Sequence, residues 1–155
     1  MTELSDLLVP DAVVAGMSVG TKKALFAALG AAAARAYDLD AAQVAARLAE
    51  REKLGSTGFG GGIAIPHGKI EDLRAVTGVF ARLPQPVDFN AVDELPVDLV
   101  FMLLSPVSAG AEHLKALARV SRALRNRAFA AKLRGAGSPD ALYALLTGVE
   151  ARDAA

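Results

Sequence analysis

Val97-Asp98-Leu99-Val100-Phe101-Met102-Leu103-Leu104 is apolar at every position except Asp98. Such a run, without polar alternation, is what a strand covered on both faces requires. It is far too short to cross a bilayer, which takes about 20 residues, so protein has to cover it. Just upstream, Ala75 to Leu83 places Val76, Gly78, Phe80 and Arg82 on one side of a second strand and Thr77, Val79, Ala81 and Leu83 on the other. Val87-Asp88-Phe89 suits a short third strand, with Asn90 to Pro96 forming a turn. Helical patterns lie outside this strand-rich middle. From Thr21 to Ala36, Leu25, Ala28, Leu29 and Ala32 make one buried face, and Asp40, with Gln43 three residues on, caps a second helix through Glu52. Beyond the strands, Ala111 to Asn126 carries the stripe His113, Leu117, Val120 and Leu124, with Lys115, Arg119 and Arg122 on the far side. Ser138 and Pro139 read as N-cap and first residue of a last helix through Leu146. These elements predict an α/β fold: a single-domain mixed β-sheet flanked by helices on both faces, spanning residues 1–150, with 151–155 as a tail.

A chain of 155 residues can bury one sizeable core. With no cysteine, disulfides, thiol chemistry and thiolate metal sites are excluded. The start, Met1-Thr-Glu-Leu-Ser-Asp6, has neither the basic nor the apolar region of a secretory signal, so a cytoplasmic protein without membrane insertion is expected. Formal charge is zero, which gives no reason to expect nucleic acid as a partner. Charge is nonetheless clustered: Lys115, Arg119, Arg122, Arg125, Arg127, Lys132 and Arg134 follow one another with no acidic residue between. That pattern reads either as a solvated helix surface or as a docking surface for an acidic partner.

Leu54-Gly-Ser-Thr-Gly-Phe-Gly-Gly-Gly62 is a loop whose glycines let another chain or a ligand approach closely. It leads into the apolar Ile63-Ala64-Ile65, stopped by Pro66, and then into His67, read as the end of a strand. There are only two histidines. His67, beside a loop without bulky groups, is accessible to another macromolecule, and a neutral imidazole can attack phosphorus. A structural role is the alternative. His113, in the first turn of its helix, is either a core histidine bonded to a neighbour or a group aimed by the helix start at an anion. Arg51, at the end of the second helix, is either a helix-terminus cation or a partner for a phosphorylated His67.

Nucleotide motifs fail. Gly62-Ile-Ala-Ile-Pro-His-Gly68-Lys69-Ile70 has one residue too many between its glycines for a P-loop, and Ile70 stands where a magnesium-binding hydroxyl belongs. Ile63 or Ile65 falls where the third glycine of a dinucleotide fingerprint should be. No metal-ligand spacing is present, so neither a cofactor nor a metal is expected.

Arg51-Glu-Lys-Leu-Gly-Ser-Thr-Gly58 followed by Gly62-Ile-Ala-Ile-Pro-His-Gly-Lys69 resembles the active-site signature of enzyme IIA proteins of the fructose–mannitol class, components of the bacterial phosphoenolpyruvate phosphotransferase system. The nitrogen-regulatory branch is the nearest match. Leu4-Ser-Asp-Leu-Leu8, Val87-Asp-Phe89, Pro96-Val-Asp-Leu-Val-Phe101 and Glu112-His-Leu-Lys-Ala-Leu-Ala-Arg119 extend the resemblance over nearly the whole chain. One departure is Asp93-Glu-Leu-Pro96, which lacks the glycine often found in the turn before Pro-Val-Asp.

The resemblance implies a phosphotransferase component in which His67 takes the phosphoryl group on Nε2, with Arg51 and His113 lining the phosphate site. Ser56 and Thr57 are candidates for further hydroxyl donors. It implies a small phosphocarrier protein as phosphoryl donor, and regulatory targets such as potassium transporters or sensor kinases. Transfer chemistry of this kind rests on in-line positioning and on stabilising charge, which a cation, a donor ring and an open loop supply without metal or nucleotide. A sugar-transport enzyme IIA handing phosphate to a IIB domain, and an interaction module that is never phosphorylated, are the competing readings.

Overall fold

The structure is a computed structural model in which residues 4–148 are described. Its elements, in chain order, are β1 (Val13–Val14), α1 (Lys22–Tyr37), α2 (Ala41–Glu52), β2 (Gly58–Gly60), β3 (Ile63–Ala64), β4 (His67–Ile70), β5 (Thr77–Val87), β6 (Val97–Pro106), α3 (Ala111–Arg125), α4 (Arg127–Gly135) and α5 (Pro139–Thr147). The expected tail, 151–155, lies outside the described residues.

β6 is the spine of the sheet. It pairs antiparallel with β5 on one side and parallel with β3 and then β4 on the other, and β1 and β2 complete the order β1-β5-β6-β3-β2. Every residue from Leu99 to Ser105 is completely buried, as the apolar run requires. Asp98, the exception in that run, accepts both Nε and Nη2 of Arg134 at 2.9 and 2.8 Å. One helical layer is the α1–α2 pair, which covers β4 and β5; the other is the chain α3, α4, α5, of which α3 packs on β6 and α5 on β1.

The helix starts follow their caps. Thr21 accepts the amide of Ala24, Asp40 that of Gln43 and Ser138 that of Ala141, each near 3.0 Å. Several expectations change. Val87 does not open a separate strand but closes β5, paired with Val97 after a register shift that begins at Arg82. The glycine loop is not wholly irregular: Gly58–Gly60 forms β2, antiparallel to β3, and the chain turns through Gly60, Gly61 and Gly62 at positive φ. His67 does not end a strand but opens one, because Pro66 has no N–H to give and the ladder resumes only after it. Where a glycine was missed before Pro96, Glu94 itself takes the left-handed conformation, φ 63°.

The helix expected from Ala111 ends at Asn126, and a further helix not expected from the sequence, α4, carries the rest of the basic run. Asn126 ends α3 and caps α4 by accepting the amide of Phe129 at 3.0 Å. Three of the run's seven charges are held by other parts of the chain: Arg119 grips Asp6, Arg125 lies over the Phe59 ring at 4.9 Å, and Arg134 holds Asp98 and the carbonyl of Gly61.

The α1–α2 contact is close because Gly30 faces the backbone of Ala41; a Cβ there would run into the Ala41 carbonyl. Helix propensity alone would make Gly30→Ala stabilising by about 1 kcal/mol. We expect the reverse, a loss of about 1–3 kcal/mol from overpacking against a backbone that cannot yield, read as a lowered urea midpoint. A raised midpoint would show that the two helices can separate without cost.

Candidate active site

The site grows out of the edge that β3 and β4 lay along β6. Ile63 pairs with Leu99 and Ala64 with Val100; after the gap at Ile65 and Pro66, His67 pairs with Leu103 in unbroken register. The two gap residues stand outside the ladder, although the Pro66 carbonyl still accepts the amide of Leu103 at 2.9 Å. Ile65 faces the opposite edge, where its amide donates to the Thr57 carbonyl at 3.1 Å, and its own carbonyl on that side accepts His67 Nδ1 at 2.7 Å. A proton held on Nδ1 leaves Nε2 with its lone pair when the ring is neutral.

Arg51, in the last turn of α2, approaches that nitrogen, its Nε donating to His67 Nε2 at 3.2 Å while Nη1 donates to the carbonyl of Gly55 at 2.8 Å. The helix can lie this close because Gly68 has no side chain: a Cβ there would come within 3.2 Å of Arg47 Cβ. From the other side, His113 in the first turn of α3 brings its ring to 5.6 Å from that of His67, centre to centre. Its Nδ1 is hydrogen-bonded to Ser105 Oγ at 2.6 Å. Together these groups line an open cleft of about 660 Å³, bordered also by Arg47, Lys69 and Glu71.

His67, His113 and Arg51, singled out from the sequence, are thus brought together. Ser56 and Thr57 are not part of the cleft lining. The Ser56 hydroxyl donates to the carbonyl of Phe89 at 2.8 Å, and that of Thr57 to Glu52 Oε1 at 2.6 Å, so both protons are engaged away from His67. Two cations were missed by reading residues singly. Lys69 follows His67 by two positions on the same strand, and Arg47 precedes Arg51 by four on the same helix; both spacings place side chains on a shared face. Arg47 is engaged by Glu50 at 2.7 Å. Ser105 carries no local signal, since its contact with His113 depends on how α3 returns to β6. Among the described residues no group of three or more His, Asp or Glu is placed to hold a metal ion, and no helix is long and apolar enough to cross a membrane.

Both rings are biased toward the neutral form. Burial pushes the His67 pKa below its ordinary 6.5, and the Arg51 charge adds to that, while the Ile65 hydrogen bond and Glu52 act in the opposite sense. Burial likewise lowers His113, with further repulsion from His67 and Lys69.

Fold and site together define a class: an α/β domain presenting a neutral imidazole nitrogen in a cleft backed by cations. Residues 6–149 match the family model described as "Phosphoenolpyruvate-dependent sugar phosphotransferase system, EIIA 2". The chain belongs to that enzyme IIA family, within its nitrogen-regulatory branch. It is 46% identical over 143 residues, 92% of its length and 94% of the relative's, to a "Nitrogen regulatory protein" of Bradyrhizobium diazoefficiens. The crystal structure of nitrogen regulatory protein IIA-Ntr from Neisseria meningitidis aligns with a TM-score of 0.85 at 39% identity, covering 92% of this chain and 97% of that one. IIA mannitol from Escherichia coli, at 24% identity, shares the fold with a TM-score of 0.75 over 90% of this chain and 98% of its own.

Since both histidines titrate below 6.5 in the folded protein, the unfolded chain binds more protons than the folded one as pH falls through that value. The stability they contribute is complete above about pH 6.5 and drains away as pH drops toward their folded values. Asp6 and Asp93, whose pKa values lie below 3.8, act only in a more acid window. Urea midpoints should therefore fall between about pH 7.5 and about pH 5.5, and fall less in the double variant His67→Gln, His113→Gln. An equal fall in that variant would assign the slope to other groups.

Proposed function

We propose that this chain carries a phosphoryl group on Nε2 of His67, received from the phosphohistidine of a small phosphocarrier protein, and that its phosphorylation state governs binding to regulatory target proteins in the cytoplasm. The observation that carries this reading is the 2.7 Å hydrogen bond from His67 Nδ1 to Ile65, which leaves the Nε2 lone pair beside Arg51. In the transfer, that lone pair forms the new N–P bond as the donor's N–P bond breaks, and the departing electron pair stays on the donor ring. The proton stays on Nδ1, hydrogen-bonded to the Ile65 carbonyl, and that acceptor stabilises the positive character the ring gains. Arg51 moves from nitrogen to the phosphoryl oxygens, where its planar fork of donors suits them. His113 and Lys69 face the same group, and the open cleft gives the donor protein access.

The regulatory half of the reading rests on the relatives' description as nitrogen regulatory proteins. Targets of the kind controlled in that branch, potassium transporters or sensor kinases, are its expected partners. The family description also favours a second reading, onward transfer to a IIB domain during sugar uptake.

Intact-mass analysis after incubation with phosphoenolpyruvate, enzyme I and the phosphocarrier should show a gain of one acid-labile phosphoryl group, absent in His67→Ala. Arg51→Ala should slow the gain by about 10- to 100-fold, the worth of one hydrogen bond to a charged group. No gain on the wild type, with the upstream proteins active on another acceptor, would leave the fold as a binding module. Loss of the label on adding a IIB domain would select sugar transport. Pull-downs recovering the same proteins equally with phosphorylated wild type, His67→Ala and His67→Asp would remove the regulatory half.

A further inference from the structure

Ser105 ends the run of completely buried residues on β6, and it is the one polar side chain in it. Among the described residues its hydroxyl has a single hydrogen-bond partner, His113 Nδ1 at 2.6 Å. That geometry permits two proton arrangements of unequal merit. If the ring carries its proton on Nδ1, it donates to Oγ, and the serine's own hydrogen is stranded in an apolar interior. If the hydroxyl donates to Nδ1, both groups are satisfied and the ring proton sits on Nε2. A buried donor without an acceptor is penalised more heavily than an ordinary hydrogen bond is rewarded, so the second arrangement prevails.

We propose that Ser105 is a positioning residue that fixes His113 as the Nε2–H tautomer, so that a neutral N–H, not a lone pair, is offered to the cleft beside His67. This rests on the reading of His67 as phosphoacceptor. A phosphoryl group has acceptor oxygens only, which a lone pair on His113 would repel and an N–H binds. Ser105 also disfavours the doubly protonated ring, since an imidazolium would donate from Nδ1 and again strand the hydroxyl hydrogen. His67 and His113 thus receive opposite tautomers from two different acceptor or donor groups. The Ile65 carbonyl keeps the proton on Nδ1 of the one and frees its Nε2 for attack; the Ser105 hydroxyl takes the Nδ1 lone pair of the other and puts its proton on Nε2.

Long-range 1H–15N correlation spectra of the uniformly 15N-labelled protein, near pH 8, distinguish the two tautomers of each ring. Wild type should show His113 with a pyridine-like Nδ1 and a protonated Nε2, and His67 with the reverse. Ser105→Ala should turn His113 into a tautomer mixture, leave His67 unchanged and slow phosphoryl uptake by about tenfold, the loss expected for one weakened hydrogen bond to a charged group. Ser105→Thr, which keeps the hydroxyl, should restore both the tautomer and the rate. A wild-type His113 protonated on Nδ1 overturns the proposal, and that measurement needs no variant to fold. So does a Ser105→Ala protein with unchanged tautomer, or one with changed tautomer and undiminished rate. Absence of phosphate on the wild type would instead defeat the phosphoacceptor reading and leave the tautomer result standing.

Discussion

Everything in the site follows from one interruption in the sheet. Pro66 cannot donate to the ladder, so the edge laid along β6 breaks after Ala64 and resumes at His67 without losing register. An edge that slipped by one residue would exchange the faces of His67 and Gly68 and take the imidazole from between Arg51 and His113. Keeping register across a gap is therefore the constraint that aims the imidazole. The acceptor comes from the other edge: the Ile65 carbonyl, facing away from β6, accepts the hydrogen bond from Nδ1–H and decides which nitrogen faces outward. The proline thus sets the strand boundary, the register kept across it sets the ring's orientation, and the Ile65 carbonyl sets its tautomer.

Arg51 depends in turn on its neighbour Glu52. That carboxylate, 8% exposed, accepts Lys22 Nζ at 2.8 Å, Thr57 Oγ1 at 2.6 Å and the Thr57 amide. A buried carboxylate is tolerable only with partners of this kind, and here they come from α1 and from the far end of the loop. The result is a short tether from the end of α2 to β2 that holds residues 53–57 beneath the cleft and keeps Gly55 where Arg51 can bond its carbonyl. Ser56 works alongside by linking the loop to Phe89 and to the Gly58 amide. The hydroxyls in the signature segment are thus accounted for by loop architecture, and the cleft's donors come from longer side chains.

The parts of the fold governed by near neighbours were legible in the sequence. β6 announced itself by composition, the helices after Asp40 and Ser138 by their caps, and α1 and the core stripe of α3 by their spacing. What was not legible depends on partners far along the chain. β1 is two residues long and exists only because β5 offers Phe80 and Ala81 for parallel pairing. β2 is glycine-rich and has no strand signal of its own; β3 and the Gly62 turn make it a strand. The end of α3 at Asn126 was legible, but α4 after it was not, because Asn126 reads as the end of one helix and gives no sign that it also caps the next. The grouping of Arg51, His67 and His113 was legible through family resemblance and not through spacing, since the three sit on two helices and an edge strand. Ser105 shows the limit most clearly: a serine closing an apolar strand reads as a simple end of the run, and only the return of α3 gives it a partner.

The charges in the cleft suit both states that a phosphoryl carrier must pass through. A nucleophilic imidazole has to be neutral, which favours burial and nearby positive charge, and both depress His67 here. A bound phosphoryl group is anionic, which favours positive charge and disfavours burial. Arg51 is the element common to the two requirements: its charge disfavours a proton on Nε2 and, in the proposed transfer, would then neutralise the oxygens. Burial alone could have kept His67 neutral, but it would have opposed the phosphorylated state. A carboxylate in the place of Arg51 would have failed twice, by raising the pKa of the ring and by repelling the incoming group. The open, solvent-facing cleft lets water moderate the remaining desolvation once the anion is in place. On these grounds the sign and placement of the cation beside His67 are what the transfer chemistry most constrains, and loop and helix around it serve to keep that cation within reach of both nitrogen and oxygen.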